Sequence, residues 1–499
     1  MTLVITTVTN TVGTNLNLAA NQDIYVAPSA LVASQEGYGI LADEGGHAID
    51  IYGAVYGEPA GIRLEDIADS IGNSRILVGV GASVAGRAIG IQSLSSSQSI
   101  SVAGLVTGND GIVHSGGTFS LSNSGSIIGS FGDGLNVDSS SGNIVNTGLI
   151  ESTFFGSGVI LDNSTTTGSF APTLRNFGTI RAQFTAILGD SSNRDTILNY
   201  GAVIGDIQVQ GENDYVLNAG TVEGKVLLGF GNDIYDGRGG TVSERVDGGA
   251  GDDTYIIDDP TILLVESVFS GTDTVQSAVS YTLADNFEIL ELIGSDNTGG
   301  TGNSEANFLI GNAGRNQLFG LDGNDDINGK QGDDYLDGGK GNDTMAGGSG
   351  NDDIFGRRGA DLIVGGQGDD SLRGNRGDDT IQGQDGDDRI LGGHGADTLN
   401  GGAGADQFVY RTVSDSTMAT PDVITDFEVG TDKLDLSSLV SDPITLDLLG
   451  VFTGTGPSLR SAEVGGDTRV NIDVDGDGVA DMRIVLAGTT GLTEADFIL

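Results

Sequence analysis

The sequence contains no cysteine and no tryptophan, and only three histidines and seven prolines among its 499 residues. Without cysteine, the chain can form neither a disulfide framework nor a cysteine-ligated zinc or iron–sulfur site. No run of 18 apolar residues occurs, so the sequence predicts no membrane-spanning helix. The first residues lack a basic segment followed by an apolar one, and we therefore expect no N-terminal Sec signal peptide.

Basic residues are also scarce, because 22 Lys and Arg stand against 70 Asp and Glu and leave a net charge of −48. Such a charge disfavours nucleic acid and anionic membranes as partners, since both are polyanions. Glycine is abundant, at 84 residues, but it has no three-residue period, which excludes collagen. The apolar fraction of 37% is spread along the chain and argues against wholesale disorder. A chain of this length has room for two to four domains.

A strict nine-residue repeat occupies residues 302–409, where twelve copies follow one another without a slip. Position 1 is Gly in all twelve copies, position 4 is Gly in eleven, and position 8 is always apolar. Position 6 is Asp in the last ten copies and Asn in the first two, Asn307 and Asn316. This pattern resembles the RTX calcium-binding nonapeptide. A Gly-Asp-rich flexible linker is the alternative, but a linker would not keep an apolar residue at every ninth position.

The glycine-rich first six residues of each copy predict a turn, and the last three predict a very short strand. Two copies then make one 18-residue coil of a flattened parallel β-roll, in which each copy stacks on the next copy but one. Eight pairs of position-6 aspartates would meet in this way. Carboxylates and turn carbonyls in a roomy loop favour Ca²⁺ over Mg²⁺. The predicted ligands are Asp325, Asp334, Asp343, Asp352, Asp361, Asp370, Asp379, Asp388, Asp397 and Asp406.

The charge of the repeat block supports this hypothesis, because it contains 20 acidic and 8 basic residues. Without metal, stacked rows of like charge repel one another, whereas about eight Ca²⁺ ions would neutralise them. We therefore expect folding of the block to be coupled to calcium binding.

Further candidate ligands lie outside the block. Two isolated copies, at 228–236 and 248–256, contribute Asp233 and Asp253. Later in the chain, Asp473, Asp475 and Asp477 resemble the start of an EF-hand loop, but Ile484 stands where the bidentate Glu would be. An acidic hairpin turn between strands is the favoured interpretation of that segment, and a further calcium site is the alternative.

The residues after the repeats include the run Asp426–Ser437 (DFEVGTDKLDLS) and end in Asp-Phe-Ile-Leu. From about Gly401 to Leu499, the chain resembles the C-terminal domain of serralysin-type (M10) metalloproteases. The resemblance implies a cap on the β-roll and an uncleaved signal for type I (ABC transporter) secretion, and hence a secreted, extracellular or cell-surface protein. The protease half is missing, because none of His47, His114 and His394 belongs to an H-E-x-x-H motif.

The N-terminal half has a looser repeat, Asn-x-Gly-x-apolar, which starts at Asn123, Asn146, Asn176, Asn199 and Asn218. Short apolar runs between Gly and Asn turns, at a period near 20–25, favour a right-handed parallel β-helix in which Asn side chains form ladders. A β-sandwich is the alternative.

No catalytic constellation stands out in this half. The carboxylates Asp133, Asp138, Glu151, Asp162 and Asp190, with Arg175 and Arg181, are candidates only because β-helices host polysaccharide lyases and epimerases. Two hypotheses follow. One is a non-enzymatic surface, matrix or adhesion protein; the other is a carbohydrate-active enzyme of the epimerase or lyase type with extracellular polysaccharide as its substrate.

The sequence thus predicts an all-β protein, with an N-terminal right-handed parallel β-helix followed by a calcium-binding parallel β-roll and a β-rich C-terminal cap. The expected domains are a β-helix-like domain (1–225), a connector with two outlying repeats (226–301), the RTX β-roll (302–409) and the serralysin-like cap with its secretion signal (410–499).

Overall fold

The computed structural model describes the chain except residues 1, 7–8, 12–15, 20, 44–45, 66–73, 95–96, 163–171, 269, 441–443, 447–451, 453 and 455. The chain is divided into two compact units, Met1–Asp273 and Thr274–Leu499. The regular secondary structure of the described residues consists of β-strands and one 3₁₀ turn at Glu494–Asp496. No helix among them is long and apolar enough to cross a membrane.

The first unit is a parallel β-solenoid with three faces. The first face consists of Thr2–Ile5, Asp23–Val26, Ala48–Ile51, Ser74–Val78, Ser97–Val102, Thr173–Asn176, Thr196–Asn199, Tyr215–Asn218, Ile234–Asp236 and Thr254–Ile257. The second consists of Thr9–Thr11, Leu31–Ser34, Ala54–Gly57, Ser83–Gly86, Leu105–Gly108, Ser126–Gly129, Leu149–Ser152, Thr221–Glu223 and Thr241–Val242. The third consists of Leu16–Leu18, Ile40–Asp43, Ala60–Glu65, Ile89–Leu94, Val159–Asp162, Val226–Phe230, Val246–Ala250 and Leu264–Val265. Four longer strands each take part in two faces: Asp110–Asn123, Leu135–Asn146, Thr179–Leu188 and Ala202–Gln210.

Each strand of this unit pairs in parallel with the equivalent strand of the next coil. The coil length varies, since Ile144 pairs with Leu174 across a much longer coil than the one that separates Val216 from its partner Tyr235. Alternate side chains point inward, and those at Ile76, Ile100 and Ile144 have no exposed surface or almost none. The predicted parallel solenoid is therefore confirmed, and the β-sandwich alternative is wrong.

The five asparagines of the Asn-x-Gly motif form a buried ladder in this unit. The Nδ2 group of each of the first four donates to Oδ1 of the next, at 2.8 Å throughout. Each of the five Oδ1 atoms also accepts from the backbone N–H two residues later, as Asn146 does from Gly148 at 3.2 Å. The motif glycine is required because a Cβ at Gly148 would collide with the carbonyl of Gly125 on the preceding coil.

The second unit consists mainly of two parallel sheets. The first has strands Thr274–Ser277, Ile289–Leu292, Phe308–Ile310, Asp326–Gln331, Thr344–Ser349, Leu362–Gln367, Thr380–Asp385, Thr398–Ala403, Asp422–Ile424 and Met482–Leu486. The second has Tyr281–Thr282, Gly299–Thr301, Gln317–Asp322, Tyr335–Lys340, Asp353–Arg358, Ser371–Arg376, Arg389–His394, Gln407–Val409, Lys433–Asp435 and Phe497–Ile498. Thr445–Leu446 pairs with Ser458–Val464. Ser458–Val464 and Asp467–Asp473 then form an antiparallel meander with Met482–Leu486, the last strand of the first sheet.

The nonapeptide block alternates between the two sheets, so that each copy pairs with the next copy but one. Ile354 lies beside Leu372, and Ile363 lies beside Ile381, so the partner is in each case the equivalent residue two copies later. All twelve position-8 side chains, from Leu309 to Phe408, are at most 1% exposed. The strictly spaced apolar residue therefore lies in the core of the repeat block, as predicted.

The strands of the roll are longer than the expected three residues. Leu362–Gln367, for example, takes the last three residues of one copy and the first three of the next. A kink inside each strand makes this possible, because the second residue of every copy from the third to the twelfth adopts a positive φ, as in Arg357 at 77°. The turn proper is therefore only three residues long, and it runs from the position-4 glycine to the position-6 residue.

Candidate metal site

The position-6 aspartates of the repeats form two buried columns, one at each edge of the roll. In all eight predicted pairs, the backbone N–H of one aspartate donates to Oδ1 of the aspartate two copies later, at 2.8–2.9 Å. Asn307 and Asn316 donate in the same way to Asp325 and Asp334. The ten aspartates are 1–2% exposed. The structure therefore brings together the side chains that the spacing predicted.

One oxygen of each of these carboxylates remains available. In each of the ten position-6 aspartates, Oδ2 is buried and has no hydrogen-bond partner among the described residues. This oxygen lies against the position-1 glycine of its own copy, where a Cβ at Gly356, for example, would collide with Oδ2 of Asp361. A buried carboxylate oxygen without a partner is costly. A row of such oxygens fits a hard divalent cation, and this donor set is of the kind that Ca²⁺ takes.

Burial raises the pKa of these carboxyl groups in the metal-free chain. The pKa is about 7 for Asp334, Asp361, Asp370, Asp379 and Asp406, mainly because burial disfavours the charged form. It is about 6 for Asp325, Asp352, Asp388 and Asp397, for the same reason. Neighbouring carboxylates raise these pKa values further, so the column favours the binding of protons or of a cation.

Two aspartates of the C-terminal segment end these columns, and the sequence did not identify them. Asp422 accepts from the N–H of Asp397 at 3.0 Å, and Asp432 accepts from the N–H of Asp406 at 3.1 Å. Both lie further along the chain from their donors than the regular spacing of two copies, so no periodic signal could reveal them. Burial and Asp397 raise the pKa of Asp422 to about 9.

The first unit contains a column of the same kind. Asp195, Asp214, Asp233 and Asp253 each donate their N–H to Oδ1 of the next aspartate, the last of which is Asp273, at 2.6–2.9 Å. The two outlying copies supplied Asp233 and Asp253 to the prediction, whereas Asp195, Asp214 and Asp273 were missed. The triplets Gly231-Asn-Asp233, Gly251-Asp-Asp253 and Gly271-Thr-Asp273 recur at a constant spacing and were a usable signal for the last of them.

The Asp473–Asp477 loop joins two antiparallel strands, and its carboxylates satisfy its own backbone. Asp473 accepts from the N–H groups of Gly476 and Gly478, both at 2.8 Å, and Asp475 accepts from Asp477 at 3.1 Å. Asp477 accepts from Val479 at 2.8 Å. The three carboxylates lie close enough together to hold a cation, yet the hairpin-turn interpretation explains their contacts.

Most candidate catalytic residues of the N-terminal half occupy turns and partly exposed strand positions, and Asp190 is buried. Asp133 accepts from the N–H of Ser157 at 2.9 Å, and Asp190 accepts from that of Ser192 at 3.0 Å. Glu151 forms an exposed ion pair with Arg181 at 3.5 Å. The others are placed as follows: Arg175 donates to Asn143, Asp138 accepts from Ser115, and Asp162 ends a third-face strand. These contacts are structural, and none joins two of the candidate carboxylates.

The three histidines belong to different segments of the chain. His114 is fully buried against Phe119, with ring centroids 4.7 Å apart, and burial lowers its pKa to about 4. His47 is buried beside Gln22, whose carbonyl lies 2.8 Å from Nδ1, and His394 is exposed on the roll.

Comparisons with known proteins match the C-terminal part of the chain. The family model "Peptidase M10 serralysin C terminal" matches residues 325–499, and the model "RTX calcium-binding nonapeptide repeat (4 copies)" matches residues 301–336. The chain is 35% identical over 92 residues to Metalloprotease AprA of Pseudomonas entomophila (strain L48), a stretch covering 17% of this chain and 19% of that protein. It is 34% identical over 97 residues to Serralysin A of Dickeya chrysanthemi, covering 18% and 20%.

The matched stretch thus spans about a fifth of the length of each relative. RTX repeats imply calcium binding, and serralysin-type C-terminal domains typify secreted proteins and suggest type I secretion. The match agrees with the aspartate columns and with the resemblance stated from the residues. This chain therefore carries RTX calcium-binding nonapeptide repeats and a serralysin C-terminal domain on an all-β protein with a parallel β-solenoid.

Proposed function

We propose that the protein is exported by a type I system and folds when extracellular calcium fills its aspartate columns. The observation that carries this proposal is the row of ten buried Oδ2 atoms without hydrogen-bond partners among the described residues. The ten position-6 aspartates would hold the ions, about eight in the roll, through these oxygens. Asp233 and Asp253 of the two outlying copies would extend the set, whereas Asp473, Asp475 and Asp477 already accept hydrogen bonds from the backbone of their own loop.

The switch follows from the difference in calcium concentration across the cell envelope. In a calcium-poor cytosol, folding would bury carboxylates that repel one another, so the anionic chain stays unfolded and competent for export. Extracellular calcium sites commonly bind with Kd of about 10⁻⁴–10⁻³ M, and ions that bind only the folded state stabilise it by mass action.

The C-terminal segment supports the secretion part of the proposal. Phe497–Ile498 pairs in parallel with Lys433–Asp435, so the last strand belongs to the roll. Before folding, the same segment would be free to engage the transporter. Deleting the last residues, from Glu494 onward, should abolish export from cells that carry the cognate transporter, while the Glu494→Ala variant should be exported normally. Undiminished export of the truncated chain would refute this signal.

For the role outside the cell, we propose a cell-surface, matrix or adhesion protein. Exposed aromatic pairs on successive turns of the first unit support this role. The rings of Phe131 and Phe154 stack 5.2 Å apart, and those of Phe177 and Tyr200 stack 4.9 Å apart. All four side chains are 45–59% exposed. Exposed apolar platforms of this kind commonly mark interaction sites.

A carbohydrate-active enzyme is the second candidate, and one groove favours it. Glu36, Glu58 and Arg87 line an open groove of about 420 Å³ in the first unit, where Glu58 and Arg87 form an ion pair at 3.5 Å. A glycan array with and without calcium, run beside a sugar-degradation assay, separates the two roles. Binding without degradation supports adhesion, whereas degradation that is lost in the Glu58→Gln variant supports the enzyme.

A further inference from the structure

Three acidic side chains meet in the interior of the first unit, outside the nonapeptide block. Asp253, Glu266 and Asp273 are 1%, 5% and 0% exposed. One carboxylate oxygen of each lies within 4.8 Å of the others. Glu266 comes from the segment between two turns of the solenoid, directly after the strand Leu264–Val265, and it belongs to no nonapeptide.

A second observation points to a ligand at this place. Oδ1 of Asp253 accepts from the N–H of Asp233 at 2.7 Å, whereas its Oδ2 is buried and has no hydrogen-bond partner among the described residues. This Oδ2 converges with Oε1 of Glu266 and the hydroxyl of Tyr255 above Gly248, where a Cβ would collide with all three atoms. Glycine therefore leaves the oxygens free to converge.

We propose that Asp253, Glu266 and Asp273 bind one Ca²⁺ ion in the first unit. Three carboxylates supply only hard oxygen atoms, which suits Ca²⁺ better than the nitrogen- and sulfur-preferring metals. The Tyr255 hydroxyl donates to Oε1 of Glu266 and holds that carboxylate in position. The choice of ion rests on the proposed function, but the site itself rests on residues outside the repeat block.

The site differs from the acidic loop of the second unit in the way its oxygens are used. Both oxygens of Asp473 accept backbone N–H groups, from Gly476 and Gly478. The loop therefore satisfies its buried carboxylate without a metal, whereas Oδ2 of Asp253 has no such donor among the described residues.

The test counts calcium ions bound to the full chain after equilibrium dialysis and elemental analysis. The Glu266→Gln variant should bind one ion fewer per chain than the unchanged protein. The Glu244→Gln variant, whose side chain is 55% exposed and pairs with Lys225, should bind the same number as the unchanged protein. Equal ion counts in all three proteins, with matching circular dichroism spectra, would overturn the site.

A second measurement covers the case in which Glu266→Gln fails to fold. Tb³⁺ in a calcium site emits when a nearby tyrosine is excited, so the Tyr255→Phe variant should lose part of the tyrosine-sensitised terbium emission. The Tyr200→Phe variant, altered at an exposed ring, should keep its emission. Unchanged emission from Tyr255→Phe would contradict the proposal. If the unchanged protein binds no calcium, the proposed function fails together with the site. If the unchanged protein binds calcium but Glu266→Gln binds the same number of ions, only the site fails.

Discussion

Chelating calcium should unfold the β-roll near neutral pH, and acidification of the chelated protein should restore it. The aspartate columns provide the reason. Asp361 has a pKa of about 7 in the folded, metal-free chain against an ordinary value of 3.8. Each pH unit between these values corresponds to about 1.4 kcal/mol, so this carboxylate alone costs about 4 kcal/mol above pH 7.

The cost is large because the column repeats it. Asp334, Asp370, Asp379 and Asp406 share a pKa of about 7, raised mainly by burial. Three or four such carboxylates would offset the entire free energy of unfolding of a typical domain, about 5–15 kcal/mol. Calcium removes the cost by binding the charged form in the folded state.

The direction of the pH effect follows from linkage. A raised pKa means that the folded metal-free chain binds more protons than the unfolded chain, so its stability falls as pH rises. The penalty is fully present above about pH 7 and disappears as pH falls toward 4. Acid should therefore stabilise the chelated protein, which is opposite to the behaviour of a domain that is held together by salt-bridged carboxylates.

Far-ultraviolet circular dichroism with chelator, followed from about pH 8 to pH 4.5, measures this effect. The β signal of the roll should be lost at the alkaline end and should grow as the solution is acidified. The calcium-saturated protein is the control and should keep its signal down to the pH at which protons displace the metal. A chelated protein with an unchanged β spectrum at pH 8 would refute the reasoning.

Three further predictions concern stability. Ile363→Ala, at a fully buried position 8, should lower the free energy of unfolding in calcium by about 2–5 kcal/mol, measured by urea titration. The control Arg376→Ala, at an exposed position, should change this free energy by less than about 0.5 kcal/mol. Equal effects of the two substitutions would contradict the placement of position 8 in the core. Asn146→Ala should lower the free energy of unfolding by about 1–3 kcal/mol, because it removes the acceptor of Asn123 and the donor to Asn176. Thermal unfolding measures this loss, with Ser120→Ala at an exposed position as the control. An unchanged stability would show that the ladder is dispensable. Asp496 accepts from the N–H groups of Gly430 and Thr493 at 2.7 and 2.6 Å. Asp496→Ala should therefore reduce the hydrogen-exchange protection of residues 430–436, whereas Glu494→Ala, at an exposed position, should leave it unchanged. Equal protection in both variants would contradict a stabilising role of these hydrogen bonds.

The arrangement of the repeat block could be predicted because its period is strict. Nine residues per copy and an inward residue at position 8 leave one register in which Ile363 lies beside Ile381. The same register places Asp361 next to Asp379, where the hydrogen bond of 2.9 Å is found. In the N-terminal half, Asn-x-Gly predicted the ladder, but coils of unequal length hid the remaining register.

The sequence alone determined the parallel roll, its core and the aspartates that stack in it, because each depends only on spacing along the chain. Tertiary structure decided which aspartates end the columns and which further carboxylates lie beside them. Asp422 and Glu266 reach their places through segments of irregular length, so no period connects them with their partners. Which oxygen of each aspartate stays without a hydrogen-bond donor was likewise decided by backbone geometry across neighbouring coils, and those oxygens carry the case for calcium.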